Sequence, residues 1–142
     1  MPDDFSRPIS QFFQAVVEKR IDKLRTLYAE SVSTYLFAEG PRWSVIGIDR
    51  IATAWRVFLN GPLAIRSCDW VEGPYSQTSN DMAWLAGILE LSVQTRSQLR
   101  SVRLRGSFVL RRDEHGDWQI VHHHLSQPAH NPYGMLDASV KL

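Results

Sequence analysis

The feature that most narrows how this chain can fold is a change of hydrophobic period near residue 60. Before it, apolar residues recur at helical spacing; beyond it they follow one another as they do in strands. Ile9, Phe12, Phe13, Val16 and Val17 form one helical stripe, with Ser6 placed as N-cap and Pro8 in the first turn. Ile21, Leu24, Leu27 and Tyr28 predict a second, shorter helix. Ile48, Ile51, Ala52, Trp55, Phe58 and Leu59 predict a third, which starts after Gly47 and stops at Asn60-Gly61-Pro62. Between the second and third, Val32 to Ala38 is β-branched and aromatic and reads as a strand ending at Gly40-Pro41. After Pro62 the segments Leu63 to Glu72, Met82 to Val93, Val102 to Arg111 and Trp118 to Leu125 read as strands. Gly73-Pro74 is expected to interrupt the first of these, and the polar loop Asp113 to Asp117 to join the last two.

Helices first and antiparallel strands after predict an α+β fold with helices covering one face of a sheet. The 142 residues contain no linker, repeat or low-complexity tract, so 1–142 reads as one domain, with a core of about 9–128 and a tail of 129–142. A domain of this length can bury about 68–70% of its unfolded surface without disulfides or structural metals. The lone Cys68 cannot form an internal disulfide. The acidic start, Met1-Pro2-Asp3-Asp4, lacks the basic and apolar regions of a signal peptide, and no apolar run nears the roughly 20 residues of a membrane span. The expectation is a cytoplasmic protein with no membrane partner. A net charge of +1 gives no global field toward nucleic acid. The arginines between Arg96 and Arg112 read as a solvated hairpin face, because aromatics do not interleave them.

The ending from Leu110 to Ser126, with Gly116-Asp117-Trp118 and His122-His123-His124-Leu125-Ser126, resembles the closing hairpin of SnoaL-like proteins. It is equally similar to the association domain of calcium/calmodulin-dependent protein kinases, and both are nuclear transport factor 2-like. Phe12-Phe13, Leu24 to Glu30 and the helix start at Gly47 agree. The resemblance implies a cone-shaped, curved antiparallel sheet wrapped around three N-terminal helices, the cystatin-like roll. It implies a pocket at the open end and self-association through the outer sheet face, as a homodimer. It also explains why Ile88, Leu89 and Leu91 show no clean alternation. The kinase domains carry polar pocket groups where this chain has Leu125, Gly87 and Ile51, so the pocket implied here is the more apolar one.

Within that frame three constellations could carry chemistry. A hairpin turning at Ser97-Gln98 would set Glu90 opposite Arg105. Flanked by Leu89 and Leu91, Glu90 could have a raised pKa suited to acid–base work, or the two charges could simply satisfy each other. In His122-His123-His124 the outer two share a face, a His-x-His spacing open to a metal, although zinc needs a third ligand and His130 is the nearest candidate. The alternative is that these rings fill the sheet faces; His123 then joins Leu125 on the pocket side, and His122 and His124 join Trp118 and Ile120. Finally, Tyr35, Phe37, Trp43, Trp55 and Trp84 could be core or could line a pocket, with Tyr35, Trp55 and Trp84 the chosen ligand-binding residues beside Arg105 and His123. Asp49 and Asp69 have no visible partner for an isomerase-like role.

The expected function is small-molecule binding of the SnoaL-like kind, extending to an isomerase, cyclase or hydratase acting on an apolar or weakly acidic compound. The alternatives are a non-catalytic association module and a metal-assisted enzyme using His122 and His124. No cofactor is implied.

Overall fold

The computed structural model describes residues 4–40 and 42–129. His130, the tail from 130 to 142 and the Pro41 half of the Gly40-Pro41 turn lie outside the described residues. The three helices form where their stripes predict: α1 at Arg7–Val17, α2 at Ile21–Leu27 and α3 at Ile48–Leu59. Ser6 is the N-cap of α1, but its side chain bonds Asp4 rather than the helix, while Pro8 sits where a missing N–H is harmless. Asn60 ends α3, as the Asn-Gly-Pro stop requires.

Six strands make one sheet: β1 Tyr35–Phe37, β2 Val45–Ile46, β3 Ala64–Ser79, β4 Met82–Gln94, β5 Leu99–Arg112 and β6 Trp118–Ser126. The spatial order is β2-β1-β6-β5-β4-β3. All neighbours are antiparallel except β1, which lies parallel to β6. The α+β expectation holds, with three corrections. The first strand is shorter than Val32 to Ala38, and β2 carries too little pattern to be seen in sequence. Gly73-Pro74 does not interrupt β3; a cis peptide and a bulge absorb it and the strand continues to Ser79.

Alternation along the strands separates two faces. Leu85, Leu89, Leu91, Leu104, Phe108 and Leu110 turn inward with Ile9, Phe12, Val16, Leu24 and Ile51 of the helices, and all are buried. Trp84, Ile88, Glu90, Arg103 and Arg105 turn outward. The run Ile88, Leu89 and Leu91 is thereby explained: the leucines are core, and Ile88 belongs to the outer face. Gly87 is required at its inner position. A Cβ there would lie 2.2 Å from the Glu72 carbonyl oxygen and 3.0 Å from the Trp70 ring.

One irregularity controls where the histidines go. Val109 pairs with His122, but Leu110 pairs with Ile120, so Val121 is the extra residue of a bulge. Parity changes at that point. Trp118, Ile120, His123 and Leu125 therefore face inward, while His122 and His124 face outward. The expectation that His122 and His124 share a face with Trp118 and Ile120 is corrected by this bulge.

Candidate functional site

Inside the roll, aromatic rings gather around Phe12. Its ring makes edge contacts with Tyr28, Trp55, Phe108 and His123, at centroid distances of 5.5 to 6.1 Å. Such contacts suit the ring quadrupoles and fix the mutual geometry. Three polar atoms are threaded through this apolar setting. The Trp55 indole Nε1–H donates to the Tyr28 hydroxyl at 2.9 Å, and that hydroxyl lies 2.7 Å from His123 Nε2. Nδ1 of His123 is buried and has no hydrogen-bond partner among the described residues.

Hydrogen-bond inventory assigns the protons. An indole N–H can only donate, so Tyr28 accepts from Trp55. The phenol proton then has one acceptor in reach, Nε2 of His123, which places the imidazole proton on Nδ1. The opposite tautomer would strand both the phenol O–H and Nδ1, two orphaned groups in place of one. Because each buried orphan costs about 1–3 kcal/mol, the first arrangement wins. Burial, reinforced by the neighbouring His122 and His124, drives the His123 pKa down to about 3. Burial also pushes the Tyr28 phenol far above its ordinary value, against a smaller opposing effect of the Trp55 N–H. Both groups are neutral at physiological pH.

Each part has a local cause. Tyr28 stands at the C-terminal cap of α2, where the chain turns extended and bridges to Ile120. Trp55 lies on α3 on the side that meets Phe12, and its ring is half-buried. His123 is carried inward by the Val121 bulge. Among the described residues the other buried side-chain nitrogen without a partner, Trp118 Nε1, belongs to a ring covered by the Arg112 guanidinium at 5.1 Å.

The remaining sequence candidates lie elsewhere. The β4–β5 hairpin turns one residue earlier than expected, closing on Thr95 and Gln98, which shifts the pairing by two, so Glu90 faces Arg103 and Ile88 faces Arg105. The Glu90–Arg105 pairing is thus corrected. Glu90 accepts from Ser101 Oγ at 2.7 Å and forms an ion pair with Arg103 at 3.2 Å. Those contacts, Ser101 first, hold its carboxyl below the usual range, the reverse of the raised pKa expected. Arg105 donates to Ser126 Oγ and to the Gln127 carbonyl. Tyr35, Phe37, His122 and His124 cluster on the outer face, where His122 Nδ1–H donates to the Tyr35 carbonyl at 2.8 Å. Trp84 is on that face too, and Trp43 is exposed in a loop. No group of three or more His, Cys, Asp or Glu able to hold a metal occurs among the described residues. Of the predicted site residues, the structure brings Trp55 and His123 together and leaves the others outside. It adds Tyr28, which helical spacing had placed only in the apolar stripe of α2.

Two open grooves are distinct from this interior. One of about 430 Å³ runs between α1 and β3, lined by Ser10, Phe13, Gln14, Cys68, Asp69 and Trp70. Burial pushes the Cys68 thiol up to about 12, so it offers no thiolate there. The second, of about 350 Å³, lies beside Pro62, Leu63 and the β4–β5 turn. Tyr28, Trp55 and His123 line neither.

No described helix is long and apolar enough to cross a membrane. Comparison with known proteins places the fold. A nuclear transport factor 2-like superfamily protein from Salmonella enterica superposes with a TM-score of 0.77 at 18% identity, covering 94% of this chain and 95% of that one. A Xanthomonas campestris protein provisionally assigned as a calcium/calmodulin-dependent protein kinase II association domain gives 0.71 at 18% identity, over 84% and 82%. A ketosteroid isomerase-like protein from Erwinia carotovora atroseptica gives 0.74 at 16% identity, over 88% and 94%. No curated protein matches the sequence. Residues 7–130 of the sequence match the SnoaL-like domain, and the chain belongs to that family, with the fold also seen in nuclear transport factor 2-like proteins.

Proposed function

We propose that this chain is a small-molecule binding domain whose ligand enters the aromatic interior and docks against the Tyr28–His123 pair. The observation that carries this reading is the buried Nδ1 of His123, a hydrogen-bonding atom left open at the end of a chain that otherwise satisfies itself. Natural interiors rarely keep such an atom idle, and a bound molecule is one explanation of it. The family resemblance implies that Leu125, Gly87 and Ile51 stand where association domains carry polar groups, so aromatic area would supply most of the affinity and an apolar or weakly acidic compound suits the site. Trp55, whose half-buried ring sits between Tyr28 and the exposed Phe58, is the member of this network nearest the surface. If a proton is moved, as the name of the Erwinia neighbour suggests for that protein, Tyr28 and His123 are the interior groups placed to move it.

A companion proposal concerns assembly. One row of outward residues crosses the whole sheet through Gln77, Trp84, Val109, His122, Tyr35 and Ile46. Ala86, Ser107, His124 and Phe37 continue the same surface in the next row. A second copy of this chain suits it, because a two-fold axis through the sheet sets equivalent aromatics against one another. The acidic column of Asp69, Glu72 and Glu90 could then approach the basic column of Arg103, Arg105 and Arg111.

Native mass spectrometry of gently purified protein tests both proposals. A dimer that carries extra mass, lost in the His123→Phe variant, supports the ligand reading. A larger ring without adduct, unaffected by that variant, moves the function to an association module.

A further inference from the structure

Charge is sorted along the length of the sheet. The β3–β4 turn and the β5–β6 loop meet at one end, where the Arg112 backbone N–H donates to the Asp81 carbonyl. That end carries Asp81, Asp113, Glu114 and Asp117. The opposite end is built from the last turn of α3, the start of β3 and the β4–β5 turn. No acidic residue occurs between Asp49 and Asp69 or between Glu90 and Asp113, the two stretches that supply it. Arg56, Arg66, Arg96 and Arg100 are exposed there, and among the described residues none of their guanidinium groups has a hydrogen-bond or ion-pair partner. The α1–α2 corner, whose Val17 shares a groove with Ser67, adds Lys19, Arg20 and Lys23 against Glu18 and Asp22 and so keeps the sign. A net charge of +1 for the chain conceals this cationic tip.

Apolar groups stand among these cations. Val57 and Phe58 of α3 and Leu99 beside the β4–β5 turn are exposed, Leu99 by 64%. Pro62 and Leu63 meet Thr95, Arg96 and Ser97 across the groove of about 350 Å³. Exposed apolar side chains ringed by unpaired arginines, with no carboxylate between them, match an anionic lipid surface. The apolar groups enter the acyl boundary and the guanidinium groups stay with the phosphates. Nucleic acid fits less well, because Ser97, Gln98 and Leu99 separate Arg96 from Arg100 where stacking on bases would need rings. Attachment to a lipid surface needs no spanning segment, so the missing apolar span behind the expectation of no membrane partner does not bear on it.

We propose that this end of the roll, centred on the β4–β5 turn, docks on a membrane surface rich in anionic phospholipid. Arg96 and Arg100 contact headgroup phosphates, Leu99 enters between the headgroups, and Arg56 and Arg66 add attraction from α3 and β3. The docking is independent of the interior ligand and of the outer-face dimer.

The test is co-sedimentation of the intact protein with vesicles of phosphatidylcholine alone and of equal parts phosphatidylcholine and phosphatidylserine. Binding is expected with the mixed vesicles, and it should fade between about 0.1 and 1 M salt as the screening length falls from about 10 to about 3 Å. An arginine near a charged bilayer is worth about fivefold in partitioning, so Arg96→Ala combined with Arg100→Ala should weaken binding about 25-fold. Arg7→Ala combined with Arg111→Ala removes the same charge from the far end, where Phe5 meets Trp118, and should leave binding unchanged. Leu99→Ser should weaken it about tenfold, near the worth of burying one leucine side chain. Failure to bind the mixed vesicles, or equal loss in the two arginine doubles, overturns the proposal. Equal, salt-insensitive binding to pure phosphatidylcholine overturns it too, and an unchanged Leu99→Ser variant removes the insertion. If a duplex or single-stranded oligonucleotide binds with the same arginine dependence while vesicles do not, the tip is a nucleic-acid surface and the membrane proposal falls.

Discussion

The Tyr28 hydroxyl lies 2.7 Å from Nε2 of His123, a contact between residues 95 apart in sequence that ties the end of α2 to the middle of β6. Removing that hydroxyl leaves His123 Nε2 and the Trp55 indole without their partner at once. Tyr28→Phe is therefore expected to cost about 2–3 kcal/mol, more than the loss of one ordinary hydrogen bond. Urea unfolding of the variant beside wild type measures it. A cost well below 1 kcal/mol would mean that water reaches these groups.

Acid should weaken the fold through the same histidine. In the unfolded chain His123 takes a proton near pH 6.5, whereas in the folded chain burial postpones protonation to about 3. Between those values the unfolded state binds one more proton, so stability falls as pH is lowered, by up to about 1.4 kcal/mol per pH unit. His123→Phe should flatten the stability profile between pH 6.5 and 4.5, above the range where most carboxylates titrate. An unchanged slope in the variant would assign acid sensitivity to other groups.

Gly87→Ala and Gly116→Ala make a contrasting pair. At Gly87 the new methyl meets the Glu72 backbone oxygen, which cannot move without breaking the β3–β4 ladder, and a loss of about 3 kcal/mol is expected. At Gly116 there is open space, and only the left-handed backbone, φ +86°, opposes the substitution, for about 1 kcal/mol. Thermal denaturation of both proteins should preserve that order.

The outer-face ion pair and the proposed dimer are separable by substitution. Ser101→Ala removes the main influence holding the Glu90 carboxyl down, so its pKa should rise toward the ordinary value in a ¹³C-detected titration. Trp84→Arg, in the row that crosses all six strands, is expected to convert the sedimenting species to a monomer while leaving the His123 nitrogen shifts in place. A dimer that survives this change would locate the interface elsewhere.

Much of the architecture was legible because period and stop signals are local. The stripe at Ile9, Phe12, Phe13 and Val16 and the Asn60-Gly61-Pro62 terminator put the helices where they are found. The site was less legible, for reasons that can be named. Tyr28 reads as one more apolar position of a short helix, and nothing local marks its pairing with a residue on the last strand. The hairpin at Thr95 to Gln98 turns one residue from the expected point and so shifts the pairing by two, which preserves each residue's face but exchanges Arg105 for Arg103 as the partner of Glu90. Tyr35 and Trp84 are aromatic residues on strands, and composition cannot say which side of a sheet such residues occupy. The inward placement of Trp55 and His123 was legible because one lies on a helix whose stripe must face the sheet, and the other on the side of Leu125.

The bulge at Val121 gives this strand a sensitivity that side-chain chemistry alone would not suggest. Three identical residues in a row are interchangeable by substitution, yet their fates diverge: one is sealed among aromatic rings as a neutral group, and two stand on the outer surface. What distinguishes them is a count of peptide units. Deleting Val121 would keep every imidazole in the protein while forcing a choice, either Trp118 and Ile120 exposed or His123 expelled and a neighbour drawn in. For this segment, then, the sequence length between Trp118 and His123 is under stricter control than the identity of the residue that spaces them.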